Sequence, residues 1–584
     1  MVILGINSAF HESAAALIVD GRLVAAAEEE RFNRVKHGKR ATPGNADQLP
    51  WRAVEYCLSQ SGVSFADVQA IGYSFDPWLR RAVQWHDGCS VSPEDFGTQE
   101  GEEAFFQSHL RARAYLTDQM PRADFYFLPH HMCHAGSAFW TSPYDQAAVL
   151  VLDGIGESAS VLAAFGSGSE IRPAFTVEYP HSLGFLWEKI SEFLGFDRYD
   201  GPGKVMALGS RGLTTGSSTG IDYLERFSTF VRTCPRGFEI DPNVLRYRDP
   251  GFEQLERRFG ASAPLRAAGE QVAMAGALQA ITENVVMHLA RELWHCVNAQ
   301  RAEPVDALCM AGGVALNCVA NGRIPLHTPW RRIWIQPAAH DAGTALGAAL
   351  IIWHKVYSRS ERILCETAYL GPEYSDRDCE AALLRAGLPY RTVPDLPATV
   401  GRLLAQGKIA GWFQGRMEFG PRALGNRSIL ADPRLFDTRT KLNQKIKVRE
   451  PFRPFAPTIP AADISRYLQL PTDVLPESLR GLEFMTMALP ATPSAVYSLP
   501  AAVHFRDSDG AATARAQSLV PGLNPLYEEL IARFQRETGV AAVLNTSLNI
   551  SEPIVCTPAD ACRTFGESGL DALVLGSYIV ERRT

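Results

Sequence analysis

Four common signatures are missing from this sequence of 584 residues, and each absence argues against a class of protein. The eleven cysteines include no CxxC pair, which argues against zinc ribbons and disulfide scaffolds. A net charge of -7 provides no overall basic field for nucleic acid. The apolar run 345–353 is far shorter than the ~20 residues of a membrane span. The chain starts with the strand-like VILGINS and no signal-peptide core. We therefore expect a cytoplasmic, soluble protein with neither nucleic-acid nor membrane partners.

The composition is that of a globular protein with a large apolar core. Hydrophobic residues make up 46% of the chain and charged residues 21%. Because single cores stop growing beyond about 250–300 residues, a chain of this length predicts two or three packing units.

A histidine pair is the first candidate for chemistry. In LPHHMCHAGSAFW (128–140), Pro129 is well placed to begin a helix, which would put His130 and His134 on one face. The apolar strand behind it ends in Asp153, Gly154 and Gly156, at the kind of strand end where α/β proteins bind ligands. Asp341 follows another strand and could face the histidines with Asp153. The alternatives are partly buried structural histidines and, for Asp341, a helix N-cap.

The pattern at the start of the chain recurs near residue 147. Each copy has a strand, a small-residue turn and a hairpin, and Asp20-Gly21 is a strong hairpin signal. This predicts an internal duplication and a two-lobed α/β fold of the actin, sugar-kinase and Hsp70 type, with a nucleotide between the lobes. His11 lies in the first turn, where a structural role is the alternative, and Lys36 follows closely enough to reach a phosphate.

Two glycine-rich segments could approach a bound anion or nucleoside. RYDGPGKVMALGSRG (198–212) predicts a loop with exposed amides around Gly203 and Lys204. A buried strand at 307–310 precedes Gly312, Gly313 and a helix bearing Asn317. The segments 77–120 and 213–268 are irregular and resemble insertions, and a long helix is predicted over 270–297.

The last third of the chain contains a local basic patch. Between residues 411 and 460 there are ten Lys or Arg and four Asp or Glu, which gives this window a charge of +6. Arginine forks and lysines suit phosphates. KVREPFRPFAPTIP (447–460) predicts a rigid loop that holds Lys447, Arg449 and Arg453. A strand near 540 ends in a polar turn with Ser547 and Asn549.

These segments together resemble a known enzyme family. The segments that match are NSAFHESAAAL, EERFNRVKH, HHMCHAGSAF, LVLDGIGE, GPGKVMALGS, AGGVALN, HDAGTALGAAL, EFGPRALGNRSILADPR, KVREPFRPFAP and LNTSLN. They are similar, in order and over almost the full chain, to the two-domain O-carbamoyltransferases of antibiotic and nodulation-factor biosynthesis.

The resemblance implies a fold and an activity. Residues 1–365 would form an actin-like domain similar to the tRNA threonylcarbamoyl-transfer enzyme. Residues 366–584 would form a smaller YrdC-like α/β domain. ATP and carbamoyl phosphate would give carbamoyl-adenylate, and the carbamoyl group would pass to the hydroxyl of a small natural product.

The resemblance also implies roles for individual residues. An iron ion, Fe(II), or another divalent transition metal would be held by His130, His134, Asp153 and Asp341. His11 and Lys36 would serve transfer, and the nucleotide would be lined by Gly156, Gly203, Gly312, Gly313 and Asn317. Carbamoyl phosphate and the adenylate phosphate would be bound by Arg422, Arg427, Lys447, Arg453, Ser547 and Asn549. Mg(II) could accompany the nucleotide, and both a monomer and a homodimer remain open.

Several other functions compete with this one. A metalloprotease is disfavoured because HHMCH lacks the glutamate of HExxH. The enzyme that matures hydrogenase cyanide ligands has related domains in reverse order and CxxC fingers, which are absent here. An actin-fold small-molecule kinase would leave the basic patch without a role. A non-catalytic nucleotide-binding protein would bind ATP without turnover. No cysteine has the setting of a nucleophile, so no covalent carbamoyl-enzyme is expected.

Overall fold

The computed structural model describes residues 1–83, 95–210, 221–245, 251–260, 268–505 and 512–582. The chain divides into two compact units. The first comprises Met1–Asn33 and His37–Glu366, and the second comprises Arg34–Lys36 and Thr367–Thr584. None of the helices in the described ranges has the length and apolar character that a bilayer span requires. The ten cysteines in these ranges are all free thiols.

The first unit contains two five-stranded sheets with the same topology. The first sheet consists of β1 (Val2–Asn7), β2 (Ala14–Val19), β3 (Arg22–Glu28), β4 (Ala70–Tyr73) and β5 (Asp124–Phe127). Strands β6 (Gln146–Leu152), β7 (Ala159–Ser167) and β8 (Glu170–Glu178) precede a two-stranded ribbon, β9 (Val231–Cys234) and β10 (Gly237–Ile240). Strands β11 (Ala307–Ala311) and β12 (Arg332–Ile335) complete the second sheet.

The shared topology confirms the predicted duplication. The strand orders are β3-β2-β1-β4-β5 and β8-β7-β6-β11-β12. In each sheet the first three strands pair antiparallel as consecutive hairpins, and the other two pair parallel. The first hairpin turns at Asp20 and Gly21, with φ of 48° and 77°, so both residues are left-handed as a tight hairpin turn requires.

The helices of the first unit cover these sheets. They are α1 (Glu30–Asn33), α2 (Trp51–Gln60), α3 (Pro77–Ala82), α4 (Gln99–Gln119), α5 (His130–Phe139), α6 (Leu183–Phe193), α7 (Gly201–Gly209), α8 (Tyr223–Ser228), α9 (Glu253–Phe259), α10 (Ala268–Asn298), α11 (Cys318–His327) and α12 (Ala342–Ile351). A Cβ at Gly347 would lie 1.7 Å from the carbonyl oxygen of Cys133, and one at Gly5 would lie 1.8 Å from that of Ala345. Glycine therefore lets α12 approach both α5 and β1 closely.

Two sequence predictions about irregular segments are wrong. Residues 77–120 were expected to be irregular, yet α4 is a helix of 21 residues whose side chains at Phe105, Ala112 and Leu116 are buried. Residues 84–94 lie outside the described ranges. The segment around Lys204 is helix α7 and not a loop, because Asp200-Gly-Pro places proline in its first turn. The segment 213–268 contains α8, β9, β10 and α9, and its residues 213–220, 246–250 and 261–267 lie outside the described ranges.

The second unit is built on an eight-stranded mixed sheet with the order β13-β23-β22-β14-β15-β21-β16-β20. Its strands are β13 (Arg391–Thr392), β14 (Ala410–Phe413), β15 (Arg427–Ala431), β16 (Ala456–Pro460), β20 (Gln517–Leu519), β21 (Val543–Ser547), β22 (Ala572–Leu575) and β23 (Tyr578–Glu581), and β17 (Leu489–Pro490), β18 (His504–Phe505) and β19 (Ala512–Ala514) form a small second sheet. The helices are α13 (Asp376–Arg385), α14 (Leu396–Ala405), α15 (Phe436–Lys441), α16 (Ile464–Tyr467), α17 (Pro493–Ser498), α18 (Pro525–Thr538) and α19 (Pro558–Glu567). The segment 447–460, expected to be one rigid loop, ends in strand β16.

Candidate functional site

Helix α5 begins at His130 and presents the histidine pair to the interior of the first unit. Pro129 precedes it, and this residue has no side chain that could cap the helix. The carboxylate of Glu157 takes that role from the end of the second sheet, since its Oε1 accepts hydrogen bonds from the backbone N–H of His130 and of Asp76, both at 2.9 Å. Glu157 therefore fixes the start of the helix that carries the pair.

Four side chains from three parts of the fold, namely α5, the end of β6 and the start of α12, converge at this point. They are the imidazoles of His130 and His134 and the carboxylates of Asp153 and Asp341, all buried, with one candidate ligand atom each within 4.8 Å of the others. His130 Nε2 lies 3.4 Å from Asp153 Oδ2 and 3.5 Å from Asp341 Oδ1. His134 Nε2 lies 3.7 Å and 3.5 Å from the same two atoms.

The local hydrogen bonds leave these atoms available to a cation. His130 Nδ1 lies 3.0 Å from the carbonyl oxygen of Ser74, which accepts its proton and so orients Nε2 toward the carboxylates. Asp341 stands at the N-cap of α12 but makes no capping bond with its side chain, so the alternative of a plain N-cap does not hold. Asp153 Oδ1 accepts the N–H of Gly313 at 2.9 Å, which leaves Oδ2 facing the histidines.

The electrostatics of the cluster favour ionised carboxylates and a positively charged His130. Burial opposes ionisation of the carboxylates, but the two imidazoles hold the pKa values of Asp153 and Asp341 below their usual range. Burial also opposes a charge on His130, but Asp341 and Asp153 raise its pKa well above the usual value. Neighbouring His131 points elsewhere, and burial lowers its pKa to about 3, so it stays neutral.

The turn after β1 places His11 beside a charged pair that the sequence did not reveal. His37 Nδ1 lies 2.6 Å from Glu12 Oε1, and the His37 ring centroid is 6.1 Å from that of His11. Tyr199 borders both rings, at 5.5 Å from His11 and 5.8 Å from His37. No local spacing rule connects residue 12 with residue 37. Lys36, the predicted partner of His11, is exposed and groups with the second unit.

The glycines predicted to line a nucleotide have different environments. Gly312 has φ of 94°, and a Cβ there would lie 2.1 Å from the Leu152 carbonyl oxygen, so close backbone approach requires glycine. A Cβ at Gly156 would meet His131 Nδ1 at 2.5 Å. Gly203 lies in α7 with nothing within 4 Å of a Cβ.

The Asn317 side chain is already engaged within the protein. It caps α11 by accepting the N–H of Ala320 at 3.0 Å, and its Nδ2 donates to Gln279 Oε1 at 2.9 Å. These bonds give Asn317 a structural function at the start of α11, and its contact with a nucleotide stays a prediction.

In the second unit, Lys447 anchors the polar turn after β21. Its ammonium group donates to Asn549 Oδ1 at 2.6 Å, to the Asn549 carbonyl at 2.9 Å, to Ser547 Oγ at 3.2 Å and to the Ser547 carbonyl. Burial, with Arg449 and Arg453, lowers the pKa of Lys447 well below its usual value. The three predicted residues Lys447, Ser547 and Asn549 are thus brought together.

Arg427 stabilises neighbouring loop segments by hydrogen bonds to their carbonyl groups. Its Nη1 donates to the carbonyls of Gln414 and Gly415, its Nη2 donates to that of Pro372 at 2.9 Å, and its guanidinium lies 3.7 Å over the Phe413 ring. The side chain is fully buried. These contacts give Arg427 a structural role, and phosphate binding by it stays a prediction. Arg422, by contrast, is only half-buried.

A cluster of cations surrounds Arg449, and Arg515 is the member that sequence reasoning missed. Burial, together with the positive charges of Arg453 and Arg515, lowers the pKa of Arg449 to about 9. Arg515 lies 62 positions beyond Arg453, outside the counted basic window, so composition gave no signal for it. Clustered arginines in a partly buried position are suited to bind a phosphate group.

Comparisons with known proteins identify two matching family profiles and several relatives. Residues 2–350 match the family profile described as Carbamoyltransferase N-terminus, and residues 401–582 match Carbamoyltransferase C-terminus. Nodulation protein NolNO of Sinorhizobium fredii is 35% identical over 590 residues, covering 99% of this chain and 80% of that protein. The 3'-hydroxymethylcephem-O-carbamoyltransferase of Streptomyces clavuligerus is 26% identical over 559 residues, covering 93% and 91%.

Similarity to solved structures is weaker. The ROK hexokinase from Thermus thermophilus has a TM-score of 0.31 and 16% identity, covering 62% of this chain and 100% of that one. HypF from T. kodakarensis has a TM-score of 0.30 and 12% identity, covering 61% and 48%. The two family profiles and the relatives together show that the chain belongs to the carbamoyltransferase family.

Proposed function

We propose that this protein is an O-carbamoyltransferase that makes carbamoyl-adenylate from ATP and carbamoyl phosphate. The carbamoyl group then passes to a hydroxyl of a small natural product. Support for a hydroxyl acceptor comes from the relative whose name specifies O-carbamoyl transfer to a hydroxymethylcephem. The family assignment supports the transferred group.

The observation that carries the adenylating step is the cationic cluster of the second unit. The positive charges of Arg449 and Arg453 lower the pKa of Lys447, and those of Arg453 and Arg515 lower the pKa of Arg449. Electrostatic repulsion between these cations therefore costs free energy. An anionic substrate relieves such repulsion. Carbamate is a poor electrophile, so it needs activation as a mixed anhydride, and these groups are suited to neutralise the phosphates as that anhydride forms. We propose that this unit, with a YrdC-like function, makes the adenylate.

The first unit would carry the transfer. His130, His134, Asp153 and Asp341 fit a divalent transition metal such as Fe(II): ligands at about 2.0–2.2 Å from an ion lie about 3.0–3.5 Å apart, close to the distances given above. When bound, such an ion supplies a Lewis acid able to polarise a phosphate or carbonyl oxygen. The Ser74 carbonyl orients the His130 ring, and Glu157 fixes the backbone of His130 at the start of α5. Mg(II) could accompany ATP.

His11 is the proposed base in this transfer. Its Nδ1 is buried and makes no hydrogen bond within the described ranges, so it is available to accept a proton from the acceptor hydroxyl. Lys36 is the proposed partner for a phosphate. Gly156, Gly203, Gly312, Gly313 and Asn317 are the proposed nucleotide neighbours.

The test is nucleotide consumption without an acceptor. Wild-type protein and Arg453→Ala are incubated with ATP, with and without carbamoyl phosphate, and AMP, ADP and pyrophosphate are followed by mass spectrometry. We expect pyrophosphate that depends on carbamoyl phosphate and is lost in Arg453→Ala. ADP as the sole nucleotide product would favour the actin-fold kinase, and ATP retained without turnover would favour the nucleotide-binding protein.

A further inference from the structure

Glu12 and His37 clamp two distant segments together beside His11. The side chains form an ion pair at 2.6 Å, and the backbone N–H of Glu12 donates to the His37 carbonyl at 2.8 Å. Asn7 Nδ2 supports the same turn by donating to the carbonyls of His11 and Glu12, at 3.0 Å and 2.9 Å. The pair is therefore fixed by side-chain and backbone bonds at once.

The backbone at this clamp is strained. Glu12 has φ of 54° and His37 has φ of 64°, in the left-handed region that side chains rarely adopt. Such strain persists only where the surroundings impose it, and it clusters at functional sites. Two strained residues that bind each other indicate that this arrangement has a functional role and does not serve only to turn the chain.

The clamp keeps a positive charge on His37. Burial opposes that charge, but the Glu12 carboxylate raises the pKa of His37 to about 11, with support from Asp200 and Glu30. The groups that face His37 are Glu12 from the turn after β1, Glu30 from α1, whose Oε2 accepts the His37 N–H, Asp200 before α7, and the rings of His11 and Tyr199. The imidazolium therefore persists at neutral pH.

The second donor of this imidazolium, Nε2, makes only a long ion-pair contact within the protein. His37 Nε2 is buried and has no hydrogen-bond partner among the residues that the structure describes. The Asp200 carboxylate is 3.6 Å away, beyond hydrogen-bond length. A charged N–H donor whose nearest acceptor is a carboxylate oxygen at 3.6 Å, next to a histidine whose Nδ1 makes no hydrogen bond among the described residues, is the arrangement expected of a group that can donate to a substrate oxygen.

We propose that His37 donates a hydrogen bond from Nε2 to the carbamoyl oxygen during transfer, while Glu12 positions it and His11 accepts the proton. This inference rests on the proposed function. In the step, the acceptor oxygen forms a bond to the carbamoyl carbon and its proton goes to His11. The C–O bond to the AMP phosphate then breaks, and AMP leaves with the electron pair. His37 stabilises the negative charge on the carbamoyl oxygen between these two events.

The test uses hydroxylamine as the nucleophile. It needs little help from a base, so its capture of the carbamoyl group as N-hydroxyurea reports mainly on stabilisation of the carbamoyl oxygen. Full-length wild-type, Glu12→Gln, His37→Gln and Glu12→Asp proteins are compared. Pyrophosphate release is followed in parallel, because it reports the adenylating step alone.

We expect Glu12→Gln and His37→Gln to form N-hydroxyurea about 100-fold more slowly, as for loss of an oxyanion donor. Pyrophosphate release and the KM values for ATP and carbamoyl phosphate should stay unchanged, and Glu12→Asp should recover most of the rate. In ¹⁵N-histidine-labelled protein at pH 8, the His37 ring should be doubly protonated in the wild type and neutral in Glu12→Gln, which reports whether Glu12 holds the charge on His37.

The outcomes separate the two proposals. No carbamoyl-phosphate-dependent pyrophosphate in the wild type would overturn the proposed function itself. Three results obtained with normal pyrophosphate release would overturn the role of His37. They are an unchanged rate of N-hydroxyurea formation in His37→Gln, no N-hydroxyurea formation by the wild type, and a neutral His37 ring in the wild type. A fall in melting temperature and pyrophosphate release together would instead identify the clamp as structural and overturn it as well.

Discussion

His130 Nε2 and His134 Nε2 lie 3.2 Å apart in the interior of the first unit. Two ring nitrogens at this distance are compatible only if one of them carries a proton or if both bind a cation. The carboxylates of Asp153 and Asp341 face the same point, which adds negative charge. A divalent cation satisfies all four groups at once, and this is why we propose metal binding at this place.

The first prediction concerns the metal itself. His134→Ala should lower the affinity for Fe(II) or Co(II) by at least about 10-fold, because one of four ligands is removed. Metal content after dialysis, measured by mass spectrometry, checks this. His131→Asn is the matched control, since His131 lies on the same helix and outside the cluster, and it should retain the metal. Equal metal content in both variants would contradict the assignment.

The second prediction concerns the helix that carries Asp341. Gly347→Ala would bring a methyl group to the Cys133 carbonyl and force α12 away from α5. Overpacking of this kind costs about 1–3 kcal/mol or more, and it moves Asp341 away from the histidines. We expect a lower melting temperature and weaker metal binding. Gly269→Ala, where nothing lies within 4 Å of a Cβ, should change neither quantity.

The third prediction concerns Lys447. Lys447→Met keeps the length of the side chain but leaves the buried acceptors of Ser547 and Asn549 without their donor, at about 1–3 kcal/mol. Hydrogen exchange in residues 547–549 should increase, and pyrophosphate formation should be lost. Transfer from supplied carbamoyl-adenylate should continue. Lys445→Met, at an exposed position of the same segment, is the control and should behave like wild type.

The fourth prediction is a pH dependence of stability. Because the pKa of His37 is raised to about 11, the folded protein keeps a proton that the unfolded chain releases above its ordinary value of about 6.5. The stabilisation is therefore complete below about pH 6.5 and is lost as the pH rises through about 11. The difference in melting temperature between wild type and Glu12→Gln should shrink between about pH 7 and pH 10. A constant difference would show that His37 carries no such charge.

Local rules predicted part of this structure well. The Asp20-Gly21 hairpin follows from turn chemistry, and the gathering of His130, His134, Asp153 and Asp341 follows from helical spacing and from strand ends that meet at one edge. Each of these signals lies within a few residues along the chain or repeats in both halves.

Other features depend on contacts that no local rule describes. Helix α4 was missed because buried His109 interrupts its apolar face, and α7 was missed because glycine and proline are typical of loops as well as of first helical turns. The Glu12–His37 pair joins segments 25 positions apart. Arg515, which lies between β19 and β20, joins Arg449 and Arg453 from a distant part of the sequence. Such relationships follow from tertiary packing.

The most direct test of the account follows the oxygen of the carbamoyl group. Carbamoyl phosphate labelled with ¹⁸O in its carbonyl group is turned over with unlabelled ATP, and the released AMP is analysed by mass spectrometry. Cleavage of the P–O bond of carbamoyl phosphate by water releases phosphate and leaves carbamate, whose labelled and unlabelled oxygens are equivalent. Attack of either oxygen on the α-phosphorus of ATP releases pyrophosphate and gives carbamoyl-adenylate. Transfer then breaks the bond between the carbamoyl carbon and the bridging oxygen, so the account predicts ¹⁸O in part of the AMP. Carbamoylated product accompanied by unlabelled AMP, or by no AMP, would contradict it.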